Sequence, residues 1–178
     1  SKPIIMRKTA LFFLLQLIAI FCYSQVSNGL IAKYSFNDGN ANDEQGTIDG
    51  ITNNTTLTSD RFGCVDHAYS FSSNDTSFIS LGNNFDDVIA LADSSFSFSL
   101  WFKRNDTIGF KRPILLSKYG NSACAEDQRE FVILLDSNRV SFLYFTTLYF
   151  SDLRIVTGTT TVNDTNWHHL VLNYDGSI

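Results

Sequence analysis

Phe96-Ser-Phe-Ser-Leu-Trp-Phe-Lys103 shows the clearest period of two in the chain, with Trp101 the one apolar residue in the otherwise polar set. That period of two belongs to a strand with one buried face. It places Phe96, Phe98, Leu100 and Phe102 on the buried side, with Ser97, Ser99, Trp101 and Lys103 on the other. Shorter runs of the same kind recur at Gly29–Phe36, Ala68–Phe71, Phe78–Leu81, Ile114–Lys118 and Leu153–Val156. Phe131–Leu135 and Val140–Phe145 read as a hairpin turned at Asp136–Asn138, and Trp167–Tyr174 as a further strand. Helix signals are confined to one short turn at Phe85–Leu91. Many short strands separated by polar turns predict an all-β, two-sheet antiparallel sandwich.

The first 25 residues read as something other than fold. Met6-Arg7-Lys8 is followed by an apolar stretch from Ala10 to Phe21, broken only by Gln16, and then by Cys22-Tyr-Ser-Gln25. This is the pattern of a secretory signal peptide, with cleavage expected between Ser24 and Gln25. The apolar core is shorter than the ~20 residues of a membrane span. Ser1–Ile5 lie upstream of the expected start methionine. Residues 26–178 then form one exported domain, secreted or at the cell surface, with no membrane span after cleavage.

The 178 residues are 44% hydrophobic and 17% charged, which suits a globular chain. A net charge of −5 without a basic patch argues against nucleic acid as a partner. Export also bears on the cysteines. With Cys22 removed, Cys64 and Cys124 remain in an oxidising compartment, where they form one bridge or stay as two thiols.

Candidate chemistry is sparse. His168 and His169 are neighbours in a strand and point to opposite faces, so they cannot share a metal from that strand. They read as structural residues beside Trp167. Glu126 and Glu130 are the nearest approach to a glycosidase acid pair, but they stand two pleats apart at a loop end. A nucleophile elbow, a phosphate loop and a metalloprotease histidine motif are absent from the sequence. The chain therefore reads as non-enzymatic. The polar stretch Asp38–Gly46 does gather oxygen donors of the kind calcium prefers, and Asp38, Asn40, Asp43 and Gly46 are the candidate ligand positions. The competing reading is an Asn/Asp/Gly turn cluster. Asn53, Asn54, Asn74, Asn105 and Asn163 each begin a glycosylation triplet.

The segments "GLIAKYSFNDGNANDEQG", "LTSDRFGCVDHAYSFSS", "FISLGNNF", "FSFSLWFK", "ILLSK" and "NWHHLVLNYDGS" occur in an order that resembles laminin-G-like, concanavalin A-like jelly-roll domains. The version resembled is that of exported Bacteroidetes-type bacterial proteins. The likeness runs from Gly29 to Ser177, and Cys64, Cys124 and the aromatic insert "YFTTLYFSDLR" depart from it. The resemblance implies a jelly roll that binds a glycan or a cell-surface or matrix protein, often with structural calcium near Asp43. It implies a module of a larger adhesin or carbohydrate-active protein, and the alternative is a glycoside hydrolase of the same fold. Trp101, Tyr144, Tyr149 and Phe150 are aromatics that could stack on sugar rings, but the favoured reading puts most of them in the core or at its edges. Asp175-Gly176 is a hairpin turn signal, and the resembled family supplies a return strand after it. The domain is thus expected to be C-terminally incomplete, with strand edges left open.

Overall fold

The computed structural model describes residues 28–72, 76–82, 85, 95–105, 112–119, 129–145 and 153–176. Among these the chain forms ten strands, all pairings are antiparallel, and no helix occurs. The predicted signal peptide lies outside the described residues, as do Asn74, Cys124, Glu126, Tyr149, Phe150 and nearly all of the predicted helical turn. No helix among the described residues is long and apolar enough to cross a membrane. Contacts divide the chain into two units. One holds the residues up to 60 together with 65–80; the other holds 61–64 and everything from 81 onward.

In the first unit, β1 (Ile51–Asn53), β2 (Thr55–Thr58), β3 (Ala68–Phe71) and β4 (Phe78–Ser80) form two small ladders. β1 pairs with β4 and β2 pairs with β3. The sequence pattern anticipated β3 and β4 but not their partners. Ile51 and Leu57 are exposed and the run between them is Thr- and Asn-rich, so no hydrophobic alternation marks β1 or β2. The strand expected at Gly29–Phe36 is not formed. Its backbone finds partners in the next loop instead: Lys33 N–H donates to the Asp43 carboxylate, and Lys33 C=O accepts from Glu44 N–H. Phe36 then takes a left-handed φ of 60° and packs edge-on against Tyr69 at 5.1 Å.

In the second unit, β5 (Phe96–Lys103) pairs with β10 (Trp167–Tyr174). β6 (Ile114–Tyr119), β7 (Arg129–Asp136), β8 (Arg139–Phe145) and β9 (Leu153–Thr161) form a four-stranded sheet in that order. The two sheets face one another across an apolar core. Buried Phe131, Ile133, Phe142 and Tyr174 form its centre, and Phe96, Phe98, Leu170 and Leu172 pack against it. Alternation in β5 is the cause. Every second side chain is apolar, so this short sheet has one face that must leave water and one that tolerates it. The arrangement is the all-β jelly-roll sandwich expected from the sequence. The β7–β8 hairpin turns at Ser137 and Asn138, both with positive φ, as a two-residue hairpin loop of this hand requires. Arg104 braces the turn by donating to Asn138 Oδ1 and to Val162 C=O. Gly176 also has a left-handed φ of 79°, in keeping with a turn at Asp175-Gly176.

Candidate functional site

The oxygen-rich loop of the first unit is organised by one buried side chain, Asp43. Asp43 Oδ1 accepts from the backbone N–H of Lys33 at 2.9 Å and of Gln45 at 3.0 Å, and Oδ2 accepts from Ile48 N–H at 3.3 Å. Gly46 N–H is a fourth donor, and a Cβ on Gly46 would lie 2.8 Å from Oδ2. Burial pushes the Asp43 carboxyl pKa up, but the N–H donors outweigh it and hold the group below its ordinary value. The Asp43 N–H in turn donates to Asp49 Oδ1. Beside them Tyr34 donates to Ile48 C=O at 2.6 Å. Burial and the charges of Asp43 and Asp49 raise the Tyr34 pKa to about 12.

These contacts decide what the loop can hold. Calcium requires six to eight converging oxygens. Here both Asp43 oxygens face N–H donors, Asn40 Oδ1 accepts from Asn42 N–H, and no group of three acidic or imidazole ligands gathers at Asp38–Gly46. The donor set as folded does not fit a cation at Asp43. Of the four predicted positions, Asp43 and Gly46 are brought together as acceptor and close-packed glycine, Asn40 makes a local turn, and Asp38 makes no contact with the Asp43 carboxylate. Cys64 is exposed, and its proposed partner Cys124 lies outside the described residues.

The histidines separate as their alternation requires. His168 turns inward against Phe102 at 5.8 Å, and its Nε2 meets Asp164 Oδ1 at 2.8 Å. The Asp164 carboxyl is held below its usual range by Asn166 N–H and then by His168. His169 turns outward. Its imidazole stacks on Trp101 at 4.7 Å and 12°, and its Nε2 lies 2.9 Å from Ser99 Oγ.

That outward side of β5–β10 is where recognition chemistry collects. Cross-strand pairs stand in four rungs: Lys103 with Trp167, Trp101 with His169, Ser99 with Val171, and Ser97 with Asn173. Lys103 Nζ lies 5.3 Å from the Trp167 ring centre, and Ser97 Oγ donates to Asn173 Oδ1 at 2.7 Å. Arg61 completes the face from outside the two strands, its guanidinium 4.8 Å from the Trp101 ring and 4.3 Å from Phe62. Trp101 keeps 44% of its surface in water although His169 stacks on its ring and Arg61 lies over it. Trp101 outward and Trp167 beside His169 were legible from alternation. The pairing of the two strands and the arrival of Arg61 carried no local signal.

A second polar feature is a recess of about 410 Å3 where β8 and β9 slip register between Arg139 and Ser141. Asp136, Ser137, Arg139, Ser141, Thr157 and Thr161 line it. Asp136 is its one carboxylate and is paired with Arg112 at 2.8 Å, so the recess offers no acid pair. Tyr144 stacks on Phe142 at 5.1 Å and packs against the core, the placement the sequence favours for most of the candidate stacking aromatics.

Comparison with known proteins agrees with this architecture. The laminin-G family model described as the concanavalin A-like lectin/glucanases superfamily matches residues 71–178, which is more than half of the chain and includes both sheets of the sandwich. No curated protein and no solved structure matches. A two-sheet antiparallel sandwich with the W-H-H strand paired to β5, matched over this length, places the chain in the concanavalin A-like lectin/glucanase superfamily.

Proposed function

We propose that the chain is a non-catalytic carbohydrate-recognition module of an exported protein, and that the outward face of β5–β10 meets the glycan. One observation carries the reading: both tryptophans of the protein stand on this face, Trp101 exposed and Trp167 partly so, beside hydroxyl, amide and imidazole groups. A sugar presents a C–H surface to an aromatic ring and a rim of hydroxyls to polar partners. A rigid aromatic platform with a polar border matches both. The outward positions of β5 and β10 include no carboxylate, whereas glycoside hydrolysis in most families needs two. The hydrolase alternative would rest on Glu126 and the Glu130 side chain, both outside the described residues.

Affinity electrophoresis through gels containing soluble polysaccharides tests the reading. The full chain should be retarded by at least one glycan, and Trp101→Ala should migrate freely while melting as a folded protein. Retardation unchanged in Trp101→Ala would take the site off this face. Release of reducing sugar from the same polysaccharides would favour the hydrolase.

A further inference from the structure

The β5–β10 face differs in charge from the rest of the molecule. The chain carries 18 acidic against 13 basic residues, yet the outward positions of β5 and β10 contain Lys103 and no acid, and Arg61 joins them. Both cations are exposed, and among the described residues neither forms an ion pair. Each instead lies against an indole, Arg61 over Trp101 and Lys103 by Trp167. A cation laid on an aromatic ring is attracted by the ring's quadrupole and loses little of its capacity to donate hydrogen bonds outward. The positive heads are therefore held at this face, each against its indole.

We propose that this face binds a polyuronate, a polysaccharide whose sugars carry a carboxylate on the ring. The inference rests on the glycan reading above and specifies its ligand class. A uronate laid along the exposed edge of the Trp101–His169 stack projects its carboxylate from the rim of its own ring. There the flat guanidinium of Arg61 presents a fork that matches two carboxylate oxygens, and Lys103 supplies a second positive charge two residues along β5. A nucleic acid also offers rings and negative charge. Its charge density, one per ~1.7 Å of duplex axis, meets stronger repulsion from a chain of net charge −5 than does a polymer with one charge per sugar.

The test compares polygalacturonate with its methyl ester, which keeps the sugars and removes the charge, using titration calorimetry on the full chain. Dextran sulfate and a single-stranded oligonucleotide serve as the other polyanions. The acid form should bind at least about tenfold tighter than the ester and weaken as salt is raised. R61Q/K103Q should lose that advantage, and R61K, which keeps the charge but not the fork, should keep only part of it. Equal binding of acid and ester, or no change in R61Q/K103Q, would overturn the inference while leaving the glycan reading intact. Tighter binding of dextran sulfate or the oligonucleotide would overturn it too and assign the face to that polyanion. Failure of every polysaccharide, neutral or charged, would remove both.

Discussion

Asp43 does for its segment what a neighbouring strand does elsewhere. Its two oxygens receive the N–H groups of Lys33, Gln45, Gly46 and Ile48, donors that would otherwise be orphaned around a half-buried loop. Replacing it by alanine leaves those donors without an acceptor and should cost about 2–3 kcal/mol. If these N–H donors alone hold the loop, calorimetry in calcium and in chelator should give the same loss. A melting temperature of the parent chain that rises with calcium would show that the carboxylate serves a cation after all. The acid limb gives an independent check. Because the Asp43 pKa is depressed, its stabilisation is complete above its unfolded value near pH 4 and is lost as pH falls through the lower folded value. Asp43→Asn should therefore be less stable at neutral pH and show a shallower loss on acidification. The oxygen-donor composition of Asp38–Gly46 was plain in the sequence. Its partner was not, because Asp, Asn and Gly serve cation loops and backbone turns alike, and only the path of Lys33 past Asp43 tells them apart.

At the scale of elements, the hairpin between β7 and β8 separates turn chemistry from tertiary bracing. Ser137 and Asn138 have φ of 49° and 62°, values that cost a side-chain-bearing residue and suit glycine. Ser137 is exposed, so Ser137→Gly should stabilise by about 0.5–1 kcal/mol through relief of that strain. Asn138→Gly gains the same relief but loses the Oδ1 acceptor of Arg104, and should be neutral or destabilising. Thermal melts of the two variants would check this, and equal gains would mean that Arg104 does not brace the turn. The hairpin was legible because two apolar runs flank a four-residue polar gap, Asp136–Arg139. β1 and β2 were not, because exposed Thr and Asn show no alternation. The strand expected at Gly29–Phe36 had the right pattern and no ladder to join among the described residues: its hydrogen bonds go to the loop that follows.

For the molecule as a whole, alternation in β5 and β10 decided in advance which side chains face the core and which face water. It could not reveal that Trp101 would lie opposite His169, about 70 residues away in sequence, because register is fixed by the shared core rather than by either strand alone. Arg61 reaches the same face from outside any strand. The proposed glycan face is thus a product of the fold, and the two tryptophans make it directly observable. The chain holds only Trp101 and Trp167, so its indole fluorescence reports on this face and nothing else. Titrating the full chain with polygalacturonate oligosaccharides should shift or quench that emission in a saturable way, with Trp101→Ala abolishing both signal and binding. Saturable binding by calorimetry with the emission of both tryptophans unchanged would place the ligand elsewhere and contradict the account.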